Sequence, residues 1–347
     1  MKNACILCLL LLALPVWAQE KAVDSTVHKK HKVNITAIPI INYNKSYGAI
    51  IGAVGMAFFD MNKKDTISPA SIVGVGGGYT ENKSWFASAF SQLYINEDRW
   101  RTTAAVGAGD INFQYFETID EAGEGGFINY SNVSKFAFFR VFRQIVPHFY
   151  GGGIVKLQHS ETEFETGIDS ITNANGIGVS FLFDTRDNVY YPTKGWQSGA
   201  SYLANTEWMG SDEKFHSIRA YVNFYWKINK KSILASRGSI FAGLGDVPFT
   251  AQHSIGGKDI RGYSDGKYRG DQAYAIQTEY RWTFYRRWGI VAFMGVAFTQ
   301  KPSSGALPGG GGGLRFMAIP SRNINIGIDY AQGKGDNGIY FRINEAF

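Results

Sequence analysis

The sequence predicts an all-β protein, an antiparallel transmembrane β-barrel of about sixteen strands, and three observations carry that prediction. Aromatic residues make up 15% of the 347-residue chain, with 41 glycines and only 9 prolines. That mixture is too rich in rings for disorder and too poor in helix-forming runs for a helical protein. Beyond the first eighteen residues no apolar run reaches about eighteen, so a membrane protein of this sequence must cross as a closed barrel. From Val33 onward the apolar residues recur with period two, the repeat of strands.

In chain order, residues 1–18 contain Lys2, an apolar run from Ile6 to Val16, and Val16-Trp17-Ala18 ahead of Gln19. This is the layout of a secretory signal, and the mature chain is expected to begin at Gln19. Both cysteines, Cys5 and Cys8, fall inside that segment, which leaves the mature protein without thiol, disulfide or cysteine metal site. Residues 19–32 (QEKAVDSTVHKKHK) form a short polar tail, expected in the periplasm and too small for a core of its own. The net charge of +6 becomes about +5 without Lys2. Its cations are spread along the strands, so no nucleic-acid partner is expected.

Residues 33–347 carry the barrel. Ile218, Ala220, Val222, Phe224 and Trp226 share one strand face, and Arg219, Tyr221, Asn223 and Tyr225 the other. Ile276, Thr278, Tyr280, Trp282 and Phe284 likewise oppose Gln277, Glu279 and Arg281. Ile324, Ile326, Ile328 and Tyr330 oppose Asn323, Asn325, Gly327 and Asp329. One face suits lipid and the other water. Connections alternate in length, with Glu117–Gly126 and the stretch around 254–271 long and 320–323 tight, and the long ones are expected to face outward. Trp85, Trp100, Trp196, Trp208, Trp226, Trp282 and Trp288 lie near predicted strand ends, as aromatic belts require. Pro39 in the first strand removes a ladder hydrogen bond, which predicts a weak closure between first and last strands; alternatively it marks where regular pairing has not yet begun.

The stretch Ser254–Asp271 (SIGGKDIRGYSDGKYRGD) packs five glycines and seven charges between two alternating segments. Gly256-Gly257 followed by Ile260-Arg261-Gly262-Tyr263 resembles the loop signature of the BamA/TamA-type outer-membrane assembly proteins, the bacterial surface antigen superfamily. The resemblance implies that this loop folds into the barrel lumen, where Arg261 needs a fixed carboxylate to offset its desolvation. Glu279 is the candidate, on the lumenal face of the next strand; a flexible external loop with a solvated Arg261 is the alternative. Many relatives carry an aspartate two strands after the tip. Phe293 stands there in this chain, so Arg261 is expected to lose one charge partner and to keep Glu279 and a stacking face on Phe293.

A second run, Phe181 to Gly195, resembles the family's turn between its eighth and ninth strands. Asp184, Asp187 and Asn188 can bond turn amides, Arg186 lies among them, Pro192 fixes one dihedral and Gly195 supplies an unusual one. The carboxylates lack the spacing of a calcium loop. The final alternating run ends in Phe347, which resembles the terminal recognition signal of outer-membrane barrels. Gly309–Gly313 precede no Gly-Lys-Ser/Thr, so they are read as strand glycines leaving lumenal space. The histidines are scattered with no triad spacing and no Gly-x-Ser-x-Gly elbow appears, so no enzyme and no cofactor are expected. Arg269-Gly270-Asp271 is the tail of the loop signature.

The resemblance implies a barrel of the bacterial outer membrane that inserts client barrels, or exports polypeptide, through a seam between first and last strands. Outer-membrane lipid and unfolded outer-membrane protein clients are the implied partners. Client-handling relatives carry periplasmic POTRA repeats, which residues 19–32 cannot form, so a separate periplasmic partner is a further expectation. A channel, or a lipid-handling or structural barrel, is the alternative reading.

Overall fold

A computed structural model describes residues 33–44, 48–118, 125–167, 169–264, 266–300 and 305–347. The stretches read as signal (1–18) and tail (19–32), and the middle of the connection 117–126, lie outside the described residues. The first half of the wall is β1 (Asn34–Asn44), β2 (Gly48–Phe59), β3 (Ser71–Thr80), β4 (Trp85–Ile95), β5 (Trp100–Thr118), β6 (Gly125–Val146), β7 (Phe149–Phe164), β8 (Asp169–Asn173) and β9 (Gly176–Asp184). It continues with β10 (Gly195–Asn205), β11 (Phe215–Lys227) and β12 (Ser232–Gly245). A two-residue ribbon of β13 (His253–Ser254) and β14 (Arg269–Gly270) follows, then β15 (Gln272–Tyr285), β16 (Trp288–Thr299), β17 (Leu307–Ile319), β18 (Ile324–Gly333) and β19 (Asp336–Ile343).

All but the ribbon join one antiparallel 17-stranded sheet, each strand beside its sequence neighbour. β8 and β9 both lie along β7, end to end, so the wall has about sixteen strand positions. An even wall brings its two ends to one rim, here called the terminal rim; the opposite one is the loop rim. Strand sides follow the alternation: Ile218, Val222, Phe224 and Trp226 are exposed outward while Asn223 and Tyr225 are buried. Ile276, Tyr280, Trp282 and Phe284 are exposed against buried Gln277, Glu279 and Arg281. Trp100, Trp196, Trp226, Trp282 and Trp288 sit near the terminal rim, and Trp85 and Trp208 near the loop rim. Connection length does not alternate fully, because residues 60–70 and 185–194 are long yet lie at the terminal rim.

The wall is nearly closed. β1 and β19 share only the pairs Tyr43↔Ile339 and Asn44↔Gly338, whereas β5 and β6 are paired from Trp100↔Arg143 to Thr118↔Gly125. Pro39 does not mark a late start of pairing, since β1 is registered on β2 from Asn34↔Phe58 to Asn44↔Gly48 and Pro39 faces Ala53. Extending the β1–β19 register would set Pro39 opposite Ile343. There the sheet stops, because Asn344 adopts φ 64° and turns residues 344–347 out of it. The last strand is thus shorter than the alternating run down to Phe347 predicts.

Apolar packing stands in for the missing ladder. Ile38, Met56, Phe58 and Ile72, on the inner face of β1–β3, form a buried cluster with Ile324, against which Ile326, Phe341 and Ile343 also pack. Further along β18 and β19, Ile328 and Ile339 on that same side are exposed outward. Near the terminal rim the outer face of the last strands therefore covers the inner face of the first ones. An Arg322–Asp60 ion pair at 2.7 Å ties the two layers at the rim. This overlap explains why β1 and β2 carry apolar residues on a face that elsewhere is polar.

Candidate functional site

The connection from β12 to β15 enters the barrel. Ile255, Ile260 and Tyr263 are buried against Phe241, Ala273, Ala297 and Leu307 of the wall, and His253 Nε2 donates to Asp259 Oδ2 at 2.8 Å. Gly256 is buried, and the Gly257 carbonyl accepts from Arg342 Nη2 at 3.4 Å. Gly262 has φ 110°, and a Cβ there would meet the Gln332 carbonyl carbon at 2.6 Å. Only glycine fits so close an approach to β18 with that backbone. Its amide donates to Tyr340 Oη at 2.9 Å, and Tyr263 Oη donates to the Pro308 carbonyl at 2.7 Å.

Arg261 is fully buried. Its Nη2 lies 2.6 Å from Glu279 Oε2 in an ion contact, its Nε donates to Gln277 Oε1 at 2.9 Å, and its Cζ stands 3.3 Å from the Phe293 ring centroid. The expected loss of a charge partner does not occur. Asp329 on β18 accepts from Arg261 Nη1 at 2.8 Å, from Arg315 Nη1 at 2.5 Å and from Arg342 Nε at 2.6 Å. A carboxylate from a later strand thus fills the place left by Phe293. Glu279 also accepts from Arg281 Nε at 2.7 Å, and Glu345, in the inturned segment, lies 3.1 Å from Arg315 Nε. Four guanidiniums share three carboxylates away from water, an arrangement that holds only while every member keeps its partners.

The glycines of β17 make the room. A Cβ at Gly309 would overlap the Arg261 carbonyl and one at Gly313 the Asp329 carboxylate. Phe347 is not in the wall; its carbonyl accepts from Arg281 Nη2 at 3.0 Å.

A family model described as the Omp85 superfamily domain matches residues 70–347. The chain belongs to the Omp85 superfamily. Its fold is similar to that of BamA from Haemophilus ducreyi lacking POTRA domains 1-3, with TM-score 0.58 and 14% identity over 91% of this chain and 71% of that one. It is also similar to CdiB from Escherichia coli, with TM-score 0.61 and 11% identity over 92% of this chain and 63% of that one. For CdiB from Acinetobacter baumannii the TM-score is 0.55 and the identity 15%, over 90% and 65%. The chain thus spans less than two thirds of either CdiB chain. No curated protein matches the sequence. This Omp85 chain is a β-barrel of the bacterial outer membrane, with its apolar girdle facing lipid.

In this Omp85 barrel the turn after β9 is more than local. Asp187 Oδ1 accepts the Thr193 amide at 2.8 Å and Asn188 Oδ1 the Tyr190 amide at 2.8 Å, while Pro192 is buried and Gly195 has φ 95°. Asp184 accepts from Arg186 Nε at 2.8 Å and from Arg101 Nη1 at 2.6 Å. The turn reaches the far wall: Tyr190 joins the apolar cluster of β1–β3, packs edge-on to Phe58 and donates to the Ala70 carbonyl. Neither Arg101 nor Tyr190 was legible as a site residue, because Asp184, which Arg101 reaches besides its neighbour Asp98, and Phe58 and Ala70, which Tyr190 reaches, are remote in sequence. Asp329, Arg315 and Arg342 left a clearer signal, as charges on the polar face of alternating strands. Among the described residues no group of His, Cys, Asp and Glu is arranged to hold a metal ion.

Proposed function

We propose that this barrel assists insertion of proteins into the outer membrane, or their translocation across it, through the seam between β1 and β19. The carrying observation is that closure there rests on two residue pairs, an apolar overlap and one rim ion pair, Arg322–Asp60. Backbone pairing is directional and fixes register, whereas apolar packing is neither, so the overlapped layers can slide apart at lower cost than a full ladder. The freed edge of β1 or β19 would then template a client strand by β-augmentation. In this reading the inward loop with Ile260-Arg261-Gly262-Tyr263 is a clamp on the last strands, outer-membrane lipid is the surrounding partner, and a separate periplasmic protein supplies client capture.

The test is the folding rate of a urea-unfolded client barrel into liposomes that contain this protein, against empty liposomes and an Arg261→Ala version. A second variant carries Ile41→Cys and Phe341→Cys, which face each other in the extended register. Acceleration that oxidation abolishes and reduction restores supports the seam as the route. Equal rates in loaded and empty liposomes, from folded protein, would shift the reading to a channel or a structural barrel.

A further inference from the structure

The lumen is divided by charge. Beside the seam, each of Arg261, Arg281, Arg315 and Arg342 has an ion pair within the set Glu279, Asp329 and Glu345. Across from them lies a cavity of about 810 Å3, walled by β4–β12 and floored by the inward loop. Arg140 of β6, Lys156 of β7, Arg219 of β11, Arg237 of β12 and Lys258 of the loop all line it. The one Asp or Glu in its lining is Asp259, which His253 Nε2 meets at 2.8 Å; Arg186 also lines the cavity but is paired with Asp184. None of the five other cations has an ion pair with a described carboxylate. Arg237 Nη1 donates to the neutral Asn223 Oδ1 at 2.7 Å, and the Nε atoms of Arg140 and Arg237 are buried without an acceptor.

Register brings these cations together. Arg140 faces Ile154 and Phe138 faces Lys156, so Arg140 and Lys156 are diagonal neighbours on one face. Arg219 and Arg237 sit on the same face of adjacent strands, Arg219 opposite Phe241 and Arg237 opposite Asn223, with the Tyr221–Ser239 pair between them. Aromatic faces back the guanidiniums: Arg140 lies 5.0 Å from the Phe142 centroid, Arg219 4.8 Å from Phe241 and Arg237 4.7 Å from Tyr221. Stacking holds each fork in place, and apart from the Arg237 Nη1 bond to Asn223 no described protein group accepts from them, the presentation that suits bidentate oxyanion binding. A surface whose cations served only solubility would not place them in a confined volume where they repel one another.

We infer that this cavity is a binding site for a multivalent phosphoryl oxyanion, held by Arg140, Lys156, Arg219, Arg237 and Lys258. Three planar forks and two point charges around one water-accessible space match the several oxygens of a di- or triphosphate group. The same chemistry is presented by a soluble polyphosphate and by a phosphorylated lipid headgroup. The inference is independent of whether the seam opens.

The experiment is calorimetric titration of tripolyphosphate into the purified protein in phosphatidylcholine nanodiscs, with citrate and an oligoglutamate peptide as comparison anions. Tripolyphosphate is expected to bind more tightly than either. Arg219→Gln with Arg237→Gln should weaken it roughly a hundredfold, two charge-assisted contacts having been lost. Lys156→Met, which removes a charge from another strand, should weaken it in a barrel that keeps its near-ultraviolet dichroism. Repeating the titration in nanodiscs enriched in phosphatidic acid separates the sources: suppressed binding identifies the headgroup as occupant, and unchanged binding the soluble anion, and both support the site. Absence of binding, equal binding by the variants, or preference for citrate or oligoglutamate would overturn the inference.

Discussion

Replacing Asp329 with asparagine removes one charge and keeps the shape. The carboxylate is fully buried and accepts from Arg261, Arg315 and Arg342 at 2.5–2.8 Å. At an effective dielectric of about 20, one such pair is worth about 4 kcal/mol at 4 Å before desolvation is subtracted. Burial of a carboxylate takes back several kcal/mol, and the three contacts are not additive because they share one acceptor. Removing one partner of a buried pair costs about 3–5 kcal/mol, most of it from the charges left behind. We expect Asp329→Asn to reach that range, since four guanidiniums would then share Glu279 and Glu345 alone. The assay is guanidinium-induced unfolding in nanodiscs followed by tryptophan fluorescence, with trypsin cleavage after Arg261, Lys267 and Arg269 reporting the loop. Destabilisation together with new cleavage is the expected result. An unchanged midpoint with an uncleaved loop would refute the reasoning, and Glu279→Gln in parallel would show whether Glu279 carries the cluster by itself.

Gly313→Ala would drive a methyl into the same Asp329 carboxylate, so it should lower the unfolding midpoint and expose the loop to trypsin, whereas Gly312→Ala should be much milder. Phe58→Ala empties part of the apolar overlap and should cost about 3–5 kcal/mol, with the Ile41→Cys/Phe341→Cys pair crosslinking less completely on oxidation. Asp65, in the connection after β2, gives a pH dependence. Burial opposes its charge, but the Ser68 amide and hydroxyl and the Glu97 and Ile67 amides outweigh that and hold its carboxyl at about 2. Because the folded value lies below the ordinary 3.8, the stabilisation is present above that pH and lost as pH falls through about 2. Protection of the Ser68 and Glu97 amides, relative to their intrinsic exchange rates, should fall in acid and be insensitive to pH over that window in Asp65→Asn.

What could be read from the chain was what period two encodes. Arg219, Glu279 and Asp329 are each assigned to the polar face by alternation, and each lies on the inner side of the wall. Alternation says nothing about which strands meet across the lumen, so Asp329 appeared as one more polar residue when it is a direct partner of Arg261. Tyr190 shows the same gap, because a turn that crosses to Phe58 and Ala70 leaves no local mark. Pro39 marks a position short of a donor, but the inturn at Asn344 comes from a left-handed residue that alternation cannot announce. The overlap had a faint signal: Met56 and Phe58 place apolar groups where alternation elsewhere puts polar ones.

The two sides of the seam are not equivalent, and in the proposed opening that asymmetry predicts which one moves. β19 is fastened from inside, with Tyr340 Oη bonded to the Gly262 amide and donating to the Tyr263 carbonyl at 3.2 Å, and Arg342 held by Asp329. β1 has its ladder to β2 and, toward β19, the backbone pairs at Tyr43 and Asn44 and the apolar packing of Ile38. In the proposed opening, β1 is therefore expected to be displaced while β19 stays with the loop. Spin labels at the outward positions Ala37 and Ile328, each measured against Ile240 on the far wall, test this. Addition of an unfolded client barrel should broaden the Ala37–Ile240 distances and leave Ile328–Ile240 narrow; the reverse pattern would mean that the loop follows the last strand and does not restrain it.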